Sequence, residues 1–407
     1  MKRYDLIIAG AGPAGSTLAL NLADSGLNIA VLDKDIFPRK KICGDALSGK
    51  TLNILRHMPG NIYLDFLANV EKEPSHGIRF VAPNLKELDL PFVSNSTIDH
   101  EPSGYICPRY CFDEFLFNKL SYFENITIFQ GTKISGISIK TDFVSVRTDH
   151  GEIQGKLIAG ADGTHSMTRE LATPGPLNPY QSVGIRSYFK KVTGIHPDNF
   201  IELIFLRELL PGYFWIFNGP SGLTNVGLGM PHRQIIKRKV NLSRLLLDLV
   251  ENHPYLAPRF HTATLIDKPE AHILPIGTLK IRRSGNRFLL LGDAAFLVDP
   301  FSCEGIGNAM TSGECANQVI RNCFKKNSFS GCDLSEYDQK LERRLGKELR
   351  ISGTIRKLSC SPGLFNFVIN KARKNKEIKE LLSGMYTNEN LRAKLTKPSF
   401  YFNLILR

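Results

Sequence analysis

The chain has one tryptophan in 407 residues, and no apolar run approaches the about 18 residues that would cross a bilayer, which excludes a transmembrane helix of its own. Its eight cysteines, at 43, 107, 111, 303, 315, 323, 332 and 360, form no C-x-x-C pair and show no zinc-ligand spacing. In a reducing compartment they read as free thiols, mostly buried. Met1-Lys2-Arg3 runs straight into an apolar strand, leaving no room for a signal peptide, so a cytoplasmic protein is expected. Acidic residues are the scarcer charge, 39 against 52 Lys and Arg, for a net charge of +13. The excess is concentrated in 321–407, which holds 19 Lys and Arg against 8 Asp and Glu. Such a segment is a solvated helical face, a dock for an anionic membrane surface or a nucleic-acid patch. No recognition helix or aromatic-studded basic strand supports the last, so a nucleic-acid partner is not expected.

What is present is organised around the amino terminus. The buried run Leu6 to Ala9 stops at Gly10-x-Gly12-x-x-Gly15, a helix follows, and a second apolar run ends on Asp33-Lys34. Gly10 allows the tight turn, Gly12 lets a pyrophosphate approach the backbone, and Gly15 lets helix and strand pack closely. Pro13 and Ala14 open the helix whose free N–H groups receive phosphate. Asp33, 18 residues past Gly15, stands where an acid accepts ribose hydroxyls. This is a dinucleotide site. No second GxGxxG offers a separate nicotinamide site.

Further along, Arg39, Lys40 and Lys41 precede a loop, Cys43-Gly44-Asp45-Ala46, and then a helix from Gly49 to His57. The three cations either pair with phosphate or face water; Cys43, in a loop beside a nucleotide site, is either a thiol placed near a reactive ring or, as composition alone favours, a buried inert cysteine. A hairpin over 76–93 leaves for a second sheet, and Arg109 precedes a helix from Phe112 to Tyr122. Strands are expected at Ile126–Phe129, Ile134–Lys140 and Phe143–Thr148, then a buried strand ending at Asp162-Gly163 and a helix carrying Arg169. From Val183 to Met230 the pattern alternates, predicting an antiparallel sheet. Within it, Tyr213, Trp215 and Phe217 share one strand face, as a pocket wall or as core. Residues 234–253 read as one basic amphipathic helix. A last buried strand, Arg287–Leu291, leads through Gly292-Asp293-Ala294-Ala295 and Pro300 to a helix opening at Gly305-Ile306. Its N-terminus suits the negative charge of a reduced flavin. The remainder is helical and basic, with breaks at Ser361-Pro362-Gly363 and Ser383-Gly384, and ends in an apolar stretch, Phe400 to Leu406.

Together these motifs resemble the geranylgeranyl reductase family, FAD flavoproteins on the para-hydroxybenzoate hydroxylase-type fold. Lys41-Ile42-Cys43-Gly44-Asp45 resembles the family's K-x-C-G-[GD] loop, and Arg109 with Phe112-Asp113 its R-x-x-F-D. Gly292 to Ile306 resembles GDAAG-x-x-x-P…EGI, with Phe296 in place of the glycine. Pro211 to Phe217 resembles P-x-Y-x-W-x-F-P, with Asn218 in place of the last proline.

The resemblance implies an α/β fold: a discontinuous Rossmann-type FAD-binding domain (1–75, 103–175, 272–322), an antiparallel-sheet substrate domain (76–102, 176–271) and a basic helical segment (323–407). It implies FAD contacts from Gly10, Gly12, Pro13, Ala14, Gly15, Asp33, Lys34, Cys43, Gly44, Ala46, Arg109, Ile134, Asp162, Gly292, Asp293, Pro300, Gly305 and Ile306. Arg109 and Asp293 would contact the phosphate and ribityl regions. Cys43 would lie at the flavin and donate a proton, a role open to an ordinary thiol because its pKa is about 8.5. Tyr213, Trp215 and Phe217 would line a channel for a hydrophobic lipid-type substrate. The implied activity is reduction of isoprenoid carbon–carbon double bonds, with NAD(P)H or ferredoxin as donor and the inner membrane face as a peripheral location. The same fold also carries monooxygenases and halogenases. Gly212 to Ile216 partly resembles the halogenase G-W-x-W-x-I-P, but Tyr213 replaces the first tryptophan. A basic adaptor that retains FAD for stability is the third reading.

Overall fold

The structure is a computed structural model that describes residues 2–92, 102–172, 182–277 and 281–384. The apolar tail at 400–406 lies outside the described residues, as do the rest of the segment beyond 384 and parts of the expected domain boundaries. In chain order, the elements that build the site are β1 (Lys2–Ala9), α1 (Pro13–Asn21), β2 (Ile29–Leu32), α2 (Gly49–His57), β3 (Gly77–Val81), β4 (Glu87–Pro91) and α3 (Arg109–Leu120). Next come β5 (Ile126–Phe129), β6 (Gly151–Gly160), β7 (Ser182–Lys190), β8 (Ile201–Ile204), β9 (Tyr213–Asn218) and β10 (Thr224–Pro231). The last are β11 (Glu270–Leu274), β12 (Phe288–Leu290), α4 (Ile306–Lys326), α5 (Lys347–Leu358), α6 (Pro362–Lys374) and α7 (Lys376–Gly384).

The first sheet has the order β12-β6-β1-β2-β5, all parallel along this path. Strands with both faces covered read as unbroken apolar runs, which is what Leu6–Ala9, Ile29–Leu32 and Leu289–Leu291 are, all at 0–1 % exposure. The chain moves from β1 to β2 on one side and later fills β6 and β12 on the other. The order therefore reverses beside β1, and a crevice opens at its carboxyl end. The β1–α1 turn is packed against the end of β6: a Cβ on Gly10 (φ +100) would lie 2.3 Å from the Ala161 carbonyl oxygen. A Cβ on Gly15 would lie 1.9 Å from the Gly10 carbonyl oxygen.

The second sheet is antiparallel except where β8 runs parallel to β3, in the order β7-β10-β9-β8-β3-β4, with β11 also on β7. Strand alternation divides its core. Phe214 and Ile216 face a cluster with the helix Leu242–Asn252, whereas Tyr213, Trp215 and Phe217 face a cluster containing Ile369 of α6 and Ile378 of α7. The carboxyl-terminal helices divide in the same way. The helix Gly331–Leu341 joins the first-domain core through Leu334, Tyr337 and Leu341, while α6 and α7 cover the aromatic face of the second sheet.

Several expected elements differ. The single helix over 234–253 is two, His232–Arg238 and Leu242–Asn252. Lys239 adopts a left-handed φ of 53°, and the Asn241 side chain caps the second helix by accepting from the Arg244 N–H. The helix after Asp162-Gly163 is only the short 3-10 turn Thr168–Leu171. Helix α3 starts at Arg109, earlier than expected, because Pro108 stands at its N-cap. The cysteines are less buried than composition suggests: 107, 315 and 323 are buried, 43, 111 and 303 intermediate, 332 and 360 exposed.

Candidate functional site

A cavity of about 1150 Å³ opens at the carboxyl end of β1 and runs between the two sheets to α6 and α7. Of the residues singled out from sequence, Gly12, Pro13, Ala14, Cys43, Gly44, Ala46, Arg109, Tyr213, Trp215, Phe217, Gly292, Asp293, Gly305 and Ile306 line it. Gly10, Gly15, Asp33, Lys34, Ile134, Asp162 and Pro300 do not. Gly10 and Gly15 act through backbone packing. Asp33, at the end of β2, accepts the Ala11 N–H at 2.8 Å and the Asp35 N–H at 2.9 Å. Burial raises its pKa against the pull of those two bonds, and its carbonyl accepts the Thr132 N–H at 2.8 Å, which brings the strand of Ile134 to the same edge. Lys34 beside it is exposed. Asp162 is turned to its own chain: it accepts from Ser166 Oγ at 2.5 Å, Thr168 N at 3.0 Å and Thr168 Oγ1 at 3.1 Å, capping the 3-10 turn.

Two helix amino termini, those of α1 at Gly12 and α4 at Gly305, reach this cavity without a side-chain cap. Their first-turn N–H groups and positive dipole ends suit a phosphate and an electron-rich ring edge respectively. Arg39 reinforces the first: its Nη2 would be 3.2 Å from a Cβ on Gly12, and its buried Nε has no partner among the described residues. Gly292 (φ +56) places its own Cβ position 3.3 Å from Ala14, beside Asp293. These features fit FAD: the amino terminus of α1 would hold the pyrophosphate, Asp293 the ribityl chain, and Gly305 and Ile306 the pyrimidine edge. Phe296, where the resemblance led one to expect glycine, adopts the left-handed backbone that glycine favours, φ 54°. The strain, of order 1 kcal/mol, is held by full burial and by the Arg169 guanidinium 4.7 Å from the ring centroid.

Asp45 is the hub of the middle of the cavity. It is 1 % exposed and accepts from Tyr188 Oη at 2.5 Å, Asn225 Nδ2 at 2.7 Å and the Arg109 backbone N–H at 3.2 Å. Burial raises its pKa against those donors. Asn225 also donates to the Cys43 carbonyl at 2.7 Å and accepts the Trp215 indole N–H at 2.9 Å. The Cys43 loop and the aromatic wall are thereby bonded to one amide. A Cβ on Gly44 would lie 2.9 Å from Phe217 and 3.6 Å from Trp215 Nε1, so any other residue there would push the Phe217 ring aside.

Arg109 is held within the protein by two of its nitrogens. Its Nε and Nη2 donate to Asp113 at 2.8 and 2.7 Å, and Asp113 is shared with Arg39 at 3.0 Å. Burial opposes its charge, but Asp113 and the neighbouring Cys43 outweigh burial and raise its pKa. Lys41 Nζ lies 2.5 Å from His272 Nε2, and Thr164 Oγ1 bridges toward His272 at 3.3 Å and Asp293 at 3.4 Å. Asn225, Tyr188 and His272 carried no motif. Their only sequence signal was a polar residue at an inward position of an otherwise apolar strand.

Two outcomes follow from this geometry. Asn225→Leu leaves the indole N–H without its acceptor and frees the Cys43 loop; because Trp215 is the only tryptophan, its emission should shift and become more quenchable. Unchanged emission would show that the amide bridge is dispensable. Burial first, then the charge of Lys41, pushes the His272 pKa down to about 4 against the pull of Asp293. The unfolded imidazole takes a proton near pH 6.5, so its contribution is fully present above that pH and is lost as pH falls toward about 4. His272→Asn should flatten stability against pH in this window, and equal slopes in the two proteins would refute the assignment.

A family model described as an FAD binding domain matches residues 3–183. A digeranylgeranylglycerophospholipid reductase of Thermoplasma volcanium is 27% identical over 360 residues, covering 86% of this chain and 85% of that protein. An uncharacterized protein of Methanosarcina barkeri is 28% identical over 354 residues, covering 86% and 81%. Among solved structures, a geranylgeranyl bacteriochlorophyll reductase-like protein of Thermoplasma acidophilum superposes with a TM-score of 0.78 at 22% identity, covering 91% of each chain. The halogenase PltM in complex with phloroglucinol and FAD gives 0.75 at 17% identity, covering 99% of this chain and 90% of that one. The crevice at the reversal of the parallel sheet, the two uncapped helix ends and the matched FAD binding domain agree: the chain is an FAD-dependent oxidoreductase, and it is similar to proteins of the geranylgeranyl reductase type.

Proposed function

We propose that the protein reduces carbon–carbon double bonds of an isoprenoid lipid. The observation that carries this reading is the junction of the Cys43 loop with a long apolar enclosure. Beyond Trp215 the cavity is walled by side chains such as Leu203, Phe365, Ile369 and Leu382. A polyene chain loses water there and gains about 0.8 kcal/mol per buried CH₂. The curated relative from Thermoplasma volcanium, named for an isoprenoid phospholipid, supports the same substrate class.

Reduced FAD, when bound, supplies the hydride. The protein's part is position and proton. The aromatic wall aligns the chain beside Cys43, whose Sγ–H gives its proton to the carbon that does not receive hydride. The S–H bond breaks, a C–H bond forms, and the thiolate left behind is paired with Arg109, which Asp113 holds in place. Solvent protons then restore the thiol. Asp45 and Asn225 keep the loop from moving as the charge changes.

Cys43→Ser should lower anaerobic alkene reduction by about 100-fold or more, the range of a lost general acid, while FAD stays bound at wild-type stoichiometry. Undiminished turnover would remove the thiol from the mechanism. Anaerobic assay also separates this reading from a halogenase or monooxygenase, which needs oxygen.

The basic carboxyl-terminal helices support docking on an anionic bilayer where such lipids reside. Within 321–384 the cations Lys371, Arg373 and Lys374 close α6. Binding to anionic vesicles that weakens as salt rises is the expected result, and equal binding to neutral vesicles would contradict it.

A further inference from the structure

The cavity wall carries two different chemistries. Beside the apolar enclosure, between α2, α5 and the loop that leads into α4, it is lined by Ser48, Lys50, Asp299, Glu304 and Glu348, and the same loop packs Phe301 against Phe205 of the enclosure. Lys50 Nζ donates to Glu348 Oε2 at 2.8 Å and to Asn308 Oδ1 at 2.7 Å, and Ser48 Oγ donates to Glu304 Oε1 at 2.5 Å. Burial works against the charge on Lys50, but Glu304 and Glu348 outweigh it and raise its pKa. One lysine, already engaged, thus faces three carboxylates. Arg56, the other cation lining this side, bonds Tyr63 Oη at 2.9 Å and stacks on its ring.

Asp299 is the member that lacks something. It is 2 % exposed, and its Oδ1 accepts from Phe301 N at 2.9 Å, Ser302 N at 2.8 Å and Ser302 Oγ at 3.0 Å. Its Oδ2 is buried and has no hydrogen-bond partner among the described residues. A carboxylate oxygen taken out of water without a donor is costly, and a ligand that brings a donor relieves that cost.

We propose that this region is a head-group subsite for an uncharged, hydroxyl-bearing isoprenoid, and that it discriminates against a diphosphate head. The inference rests on the lipid-reductase reading above and adds to it the chemistry of the head. A hydroxyl donates to Asp299 Oδ2 and can accept from Ser48 or Lys50. A diphosphate would carry further negative charge into a site where carboxylates outnumber cations, and no cation there is uncommitted to compensate its desolvation. The adjoining apolar enclosure then takes the tail, so the head fixes how far along the chain the bonds lie from Cys43.

The test is titration of the FAD-loaded protein with geranylgeraniol and with geranylgeranyl diphosphate, read by calorimetry and by the flavin difference spectrum. The alcohol should bind about tenfold or more tightly than the diphosphate, the worth of one hydrogen bond to a charged group. Asp299→Asn, which keeps the loop cap but presents an amide, should erase about tenfold of that preference with FAD content unchanged. Glu348→Gln should tighten the diphosphate. Diphosphate binding as strong as the alcohol, or an unaltered preference in Asp299→Asn, overturns the subsite alone. Loss of FAD from Asp299→Asn overturns it too, by making the cofactor the missing partner. If neither isoprenoid binds, the lipid reading falls and this inference falls with it.

Discussion

A carboxylate sealed from water in the middle of the molecule, that of Asp45, sets the geometry of the centre. Such a group is tolerated only where several donors converge on it, and here they come from three separate elements: Tyr188 on β7, Asn225 on β10 and the backbone of Arg109 at the start of α3. Satisfying Asp45 therefore fixes the second sheet against the loop that carries Cys43. The requirement extends through Asn225 to the indole of Trp215. The thiol and the aromatic wall are placed relative to each other by one connected set of bonds rather than by two independent packings. Networks of this kind hold one arrangement because a partial version leaves buried groups unpaired.

Around that hub the electrostatics are graded. On one side lie Arg39, Arg109 and the uncapped end of α1, with Asp113 shared between the two arginines. This is the cationic side, which in the proposed function takes the pyrophosphate and stabilises the Cys43 thiolate. On the other side lie Glu304, Glu348 and Asp299 around Lys50, where the balance is reversed. Between them the apolar enclosure is completed by α6 and α7, so the carboxyl-terminal helices are part of the cavity wall as well as a basic surface.

The strained Phe296 illustrates how a motif is a statement about backbone. The family-like pattern has glycine there, and in this chain the backbone at that position is left-handed. A phenylalanine takes that conformation here, since a buried ring under Arg169 offsets the strain.

The sequence alone determined the parts whose physics is local. The glycine turn, the apolar parallel strands, the alternating strand that puts Tyr213, Trp215 and Phe217 on one face, and the helix opening at Gly305 each follow from backbone freedom or residue period within a short window. Breaks inside polar helical stretches were less legible: Lys239 goes left-handed with no glycine to announce it. Only the tertiary structure decided the partners. Arg109 belongs to Asp113 and lies beside Cys43, Asp162 caps its own turn, and Asp45 draws on residues 143 and 180 positions away in sequence. The reason is that a buried charge must be met by whatever donors the fold brings to it, and those pairings carry no signature in the order of residues along the chain.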